Sequence, residues 1–217
     1  MGLPGPGIAN FLNDIVHSAL WQFSRPLGIS IGGDTVNEYV ENIDQVQTVL
    51  QHHTLPYFYE VNISCPNTEN GQTICEDPAT LNSLLSAVKK TVSNPISIKV
   101  SPDVSNETLS AIGEICATYD TLLINAGNTQ YKTPNEVGVK QKNFAMDGGG
   151  LSGTAIFQRT LEMVSLLAQF NIPIMATGGI STIHHVQALK EAGASLFGMA
   201  TALVLDPYCI PRIHSRL

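Results

Sequence analysis

Basic residues are scarce in this chain. Eleven Lys and Arg stand against eighteen Asp and Glu, for a formal net charge of -7. The sequence pI is about 5.2. That deficit argues against a nucleic-acid partner or an anionic membrane as the main business. Long apolar runs are missing as well. None approaches the roughly 20 residues that span a bilayer, and Met1 does not open a basic-then-apolar secretion signal. Cysteine pairs are missing too: Cys65, Cys75, Cys116 and Cys209 are scattered, with no CxxC. This favours reduced thiols in a cytoplasmic setting over a disulfide framework, and it speaks against a zinc site. A bridge between Cys65 and Cys75, ten residues apart, is only weakly indicated. No GxGxxG follows the first strand, so a dinucleotide fingerprint is unsupported.

What is present is a regular alternation. With 217 residues the chain can bury a substantial core. Short apolar, β-branched runs predict strands at Leu27–Ile31, Phe58–Ile63, Ile96–Val100, Thr121–Asn125, Ile174–Thr177 and Leu196–Ala200. Helical patterns lie between them, near 36–52, 79–93, 105–118, 154–170 and 182–192, and a short last helix follows Pro207. Start signals agree: Asp34 or Thr35, Asp77-Pro78, Ser105 with Thr108, and Ser181 or Thr182, with Gly193 as a stop. Alternating strands and helices imply an α/β fold with a parallel sheet. The apolar strands imply burial on both faces. No low-complexity linker breaks the chain, so residues 1–217 read as a single domain. The segment 126–153, rich in Gly, Asn and Lys, is structureless by pattern and of functional length. A doubly wound sheet and a (β/α)8 barrel both fit, and both place chemistry just after the strands.

Polar residues gather at those strand ends. Asn62 and Cys65 close the second strand, Lys99 the third, Asn125 the fourth, Gly178-Gly179 the fifth and Ala200-Thr201 the sixth. Lys99, in "ISIKVSPD", reads either as a lysine snorkelling to solvent or as a fixed cation beside an electron-rich cofactor ring. "ATGGIST" and "GMATAL" follow the last two strands, where a β/α barrel often builds a phosphate site. A mononucleotide phosphate suits them better than a dinucleotide. Asn62, Asn67 and Asn125 read as turn residues or as neutral partners for a planar, amide-rich ligand. Cys65 reads as a small buried residue, or as a base or nucleophile if its pKa is lowered. The six histidines fall on helical or terminal stretches and read as surface residues, so no Cys–His pair is expected.

Taken together, "VNISCPNT", "IKVSPD", "GGGLSG" and "IPIMATGGIST…AGASLFGMATAL" resemble the dihydroorotate dehydrogenase family, from Met1 to about Pro211. The resemblance implies a (β/α)8 TIM barrel holding FMN. It implies oxidation of dihydroorotate to orotate in pyrimidine synthesis. It implies that Cys65 is the catalytic base, removing a proton while hydride passes to the flavin. Asn62, Asn67 and Asn125 match substrate-binding asparagines, and Asn62 and Asn125 also match flavin contacts. Lys99, Ser152, Gly153, Gly178, Gly179, Ala200 and Thr201 match the remaining cofactor-binding positions.

Three departures stand beside these matches. Ala126 occupies a position where the family usually carries Ser or Thr. Cys65 is the class 1 residue, whereas "PNT" and "SPD" are similar to class 2. Finally, "MGLPGPG" is similar to the segment after the family's second barrel unit. The resemblance therefore implies an N-terminally truncated barrel of about six β/α units. A homodimer or a second subunit is then expected to cover the open edge. Two alternatives remain: another FMN barrel oxidoreductase acting on a pyrimidine-like ring, and a non-catalytic remnant.

Overall fold

Four of the described helices begin where a side chain meets an orphan backbone amide. In the computed structural model, which describes residues 7–63, 74–140 and 146–217, Thr35 caps α2 (Val36–Leu50) by accepting the Glu38 N–H. Glu38 in turn accepts from the N–H of Asp34, the residue before the cap. Asp77 caps α3 (Pro78–Thr91), and proline occupies its first turn. The Thr80 hydroxyl and the Ala79 amide hold the Asp77 carboxyl below the usual carboxylate range. Ser105 caps α4 (Asn106–Cys116) and Thr182 caps α6 (Ile183–Glu191). A further helix, α1 (Ile8–Val16), precedes all of these and was not foreseen from the pattern.

The chain divides into two compact units, residues 1–98 with 119–122, and residues 99–118 with 123–217. In the first, β1 (Leu27–Ile31) pairs in parallel with β2 (Tyr57–Asn62), from Leu27 opposite Tyr57 to Ile31 opposite Val61. The start of β3 (Ile96–Val100) follows β2 in the strand order. Helices α2 and α3 bury Tyr39, Ile43, Val46 and Leu50, and Leu81, Leu84, Leu85 and Val88. Each such side chain contributes on the order of 1.5–3 kcal/mol through removal from water. The thiol of Cys75, also buried, donates to the Ile63 carbonyl.

In the second unit the strand order is β4 (Leu122–Ala126), β7 (Ile174–Thr177), β8 (Leu196–Gly198), again parallel. Ala126 lies opposite Ala176, and Thr177 opposite Gly198. Helices α4, α5 (Phe157–Leu167) and α6 cover them, followed by the short α7 (Thr201–Leu205) and α8 (Cys209–His214). Burial pushes the Cys116 thiol up to about 12, which marks it as an inert core residue. The six parallel strands match the six expected from the pattern within one or two residues at each end.

Two expectations change. The strands are not uniformly buried: β3 and β4 are nearly so, but β2 and β7 alternate between buried and half-buried residues. Strand side chains point to opposite faces, and only one face of β2 and β7 is sealed by the helices. The segment 126–153 is not structureless either. It contains a hairpin of β5 (Gln130–Lys132) and β6 (Gly149–Leu151). The Asp103 carboxylate holds its first strand by accepting the Tyr131 N–H at 3.1 and 3.0 Å. Three-residue strands carry too little periodicity to read from sequence.

Arg159, on α5, fixes the loop that follows β3. Its guanidinium donates to the Pro102 carbonyl at 3.0 Å, the Val104 carbonyl at 2.7 Å and Asn106 Oδ1 at 2.7 Å. Three acceptors in a fork suit guanidinium and not ammonium. Arg159→Lys is expected to destabilise the chain by about 2 kcal/mol, read as a lowered midpoint in urea unfolding. A midpoint equal to wild type would show that the fork contributes nothing.

Candidate functional site

The second unit contains a cavity of about 510 Å³, within the range usual for small-molecule sites. It lies at the C-terminal ends of the parallel strands. Lys99 from β3, Thr177 from β7 and Gly198 from β8 reach it, and the segments that follow β6, β7 and β8 complete it. Seven of the eleven sequence-predicted site residues line this one space: Lys99, Ser152, Gly153, Gly178, Gly179, Ala200 and Thr201. The loops are tied to one another, since the Thr201 hydroxyl donates to Ser152 Oγ at 3.0 Å.

The turn at Gly178 and Gly179 follows from local geometry. Gly179 has φ +74°, the left-handed region that side chains rarely adopt. A Cβ there would lie 2.6 Å from the backbone N and Cα of Phe157. Thr182 then caps α6, so the turn runs directly into a helix N-terminus with its partial positive charge. No charged residue occurs from Gly178 to Thr182. The charged side chain among the described lining residues is Lys99, half-buried in an otherwise buried strand. Thr177, which also lines the cavity, has its Oγ1 buried with no hydrogen-bond partner. A hydroxyl left this way is a donor available to a ligand. A lysine, an unpartnered hydroxyl and a side-chain-free turn before a helix suit a phosphorylated, electron-accepting group such as FMN.

The remaining predicted residues are not among those that line this cavity, or lie outside the described residues. Asn125, at the end of β4, is buried and opposite Met175. Asn62 ends β2 in the other unit, where its carbonyl accepts from the Tyr39 hydroxyl at 2.8 Å. Cys65 and Asn67 lie outside the described residues.

Sequence reasoning missed four side chains. Asn128 and Thr129 line the cavity from the segment read as structureless; their position directly after β4 was the signal available. His185 is no surface residue: it is half-buried and stacked on Phe157, with ring centroids 4.0 Å apart. His53 likewise stacks on Trp21, at 3.9 Å. A histidine near a helix start carries no sequence mark that separates stacking from exposure.

Parallel β/α units with a cavity at the strand C-termini define a barrel-type enzyme architecture. The comparisons make the assignment particular. The family model "Dihydroorotate dehydrogenase" matches residues 1–217. The dihydroorotate dehydrogenase B (NAD(+)) catalytic subunit of Bacillus pumilus (strain SAFR-032) is 33% identical over 221 residues, covering 100% of this chain and 68% of the relative. The same subunit from Geobacillus sp. (strain WCH70) is 33% identical over 224 residues, with the same shares. The DHODH of Eimeria tenella, solved with ferulenol, superposes with a TM-score of 0.75 at 21% identity. That match covers 96% of this chain and 61% of the Eimeria chain and shows the fold. The chain belongs to the dihydroorotate dehydrogenase family. Its homologues there are FMN-dependent oxidoreductases acting on the CH–CH group of dihydroorotate. Among the described residues, no helix is long and apolar enough to cross a membrane.

Proposed function

We propose that this chain forms a single FMN-binding domain that oxidises dihydroorotate to orotate. The observation that carries this is the cavity uniting Lys99 with the 152–153, 178–179 and 200–201 segments. The glycine turn and the start of α6 would hold the cofactor's phosphate through backbone amides. Lys99, which lines the same cavity, would supply a fixed positive charge to the cofactor's ring and favour its anionic reduced form. Asn62, Asn67 and Asn125 bind the amide-rich substrate. Cys65 removes the C5 proton of dihydroorotate as the C6 hydride departs. FMN, when bound, supplies the two-electron acceptor for that hydride.

The curated relatives are named as the catalytic subunit of an NAD(+)-dependent enzyme. A second subunit that passes electrons onward is therefore the partner proposed here, in the cytoplasm. A homodimer is the other assembly the reading allows, and nucleic acid has no part in it. Ala126, a fully buried methyl group at the end of β4, favours a second reading, in which the pyrimidine-like substrate differs from dihydroorotate.

The deciding experiment is a visible absorbance spectrum of the purified chain, supplied with FMN and kept free of oxygen. Dihydroorotate is expected to bleach the flavin band. Bleaching by dihydrouracil and not by dihydroorotate would establish the second reading. No flavin band left with the protein once unbound FMN has been removed by gel filtration would leave the chain a non-catalytic remnant.

A further inference from the structure

Anion binding at the 178–181 turn depends on backbone shape, because the turn itself carries no charged side chain. Whatever fixes those peptides therefore controls affinity. Phe157 and Ser181 flank the turn, and the ring of His185 touches both. It lies nearly flat on Phe157, the first residue of α5, with an interplanar angle of 21°. Its Nδ1 is 3.3 Å from the Ser181 amide nitrogen and 3.5 Å from Ser181 Oγ. An amide can only donate, so Nδ1 is the lone-pair nitrogen and the ring proton resides on Nε2. Ser181 itself lines the cavity. The cap of α6 is made separately, by the His185 N–H to Thr182 Oγ1 at 3.2 Å. The ring is therefore not needed to start the helix.

We propose that His185 is a positioning residue for the cofactor's phosphate. Its Nδ1 holds the Ser181 peptide and thereby keeps the 178–181 turn in the form that admits an anion. This rests on the reading of the cavity as the FMN site.

The test compares the 217-residue chain with His185→Ala, His185→Phe and His185→Asn. Phenylalanine keeps a flat ring against Phe157 but has no acceptor. Asparagine returns an acceptor near the place of Nδ1 but has no ring. Two binding readouts are used: FMN titration followed by flavin fluorescence, and the shift in melting temperature caused by inorganic phosphate. Both Ala and Phe are expected to weaken FMN binding about tenfold and to shrink the phosphate shift. Asn is expected to bind both close to wild type. Nitrogen NMR of the wild type is expected to show Nδ1 unprotonated. A Phe variant equal to wild type, or an Asn variant as weak as Ala or Phe, would reduce His185 to packing and overturn the proposal. If Ala fails to fold, Phe and Asn still decide. Wild type that binds neither FMN nor phosphate would refute the cofactor reading, and the positioning role with it. Tight FMN binding by wild type and Ala alike would refute the positioning role alone.

Discussion

Cys65→Ala is expected to slow anaerobic flavin reduction by dihydroorotate by about 10²- to 10⁴-fold, the contribution typical of a positioned general base. FMN should stay bound, because the cavity that supports the cofactor reading is built from residues of the 99–205 region. The other three cysteines offer no substitute. Cys75, Cys116 and Cys209 are all buried, and burial places the Cys116 thiol at about 12. A base must lose its own proton first, so the wild-type reduction rate should climb with pH as the Cys65 thiol becomes thiolate. The Ala variant should lose that limb of the profile. Stopped-flow absorbance across pH reads both effects. An Ala variant that reduces flavin at the wild-type rate would remove Cys65 from the mechanism.

Gly179→Ala is expected to be the most damaging small substitution in the cavity. Two costs combine. The left-handed φ of +74° costs an ordinary residue about 1–2 kcal/mol. The new Cβ would also meet the backbone of Phe157 at 2.6 Å, and backbone cannot rotate away as a side-chain tip can. The turn must shift to relieve this, and with it the amides that face an anion. Stability should fall by at least about 2 kcal/mol, and FMN affinity by about 100-fold, on the scale of 1.4 kcal/mol per factor of ten. Thermal melting with and without FMN separates the two losses. A variant that melts lower yet binds FMN as wild type would show that the phosphate sits elsewhere. In that case the cavity reading, and not only this residue's part in it, would need replacement.

Much of this molecule was legible before any coordinates. The β1, β3 and β7 limits agree between pattern and structure because each is a short apolar run bounded by Gly, Pro or Asp, which period and punctuation capture. The caps at Asp77 and Ser105 were equally readable, and those at Thr35 and Thr182 were read to within one residue, since capping is chemistry between residues two or three apart. The hairpin at 130–151 was not. Its pairing joins residues about twenty apart, and one of its strands is held by the distant Asp103. The strand-end residues were recognisable as a set because a parallel β/α fold sends every strand end to one face. That inference requires only the alternation of elements.

Tertiary structure decided which of those residues share a space. Lys99 and Thr201 are about a hundred residues apart, yet they line one cavity, and Ser152 bonds to Thr201 across 49 positions. It also turned His185 from a surface histidine into one stacked on Phe157 and bonded to Ser181, a role no local pattern encodes. The division has a physical cause. Helix starts, turns and strand periods arise from interactions within a few residues of chain. A cavity arises from loops whose separation along the chain bears no relation to their separation in space. The sequence by itself therefore determined the elements, their caps and the chemistry placed at each strand end, and only the packed strands determined which of those ends form one site.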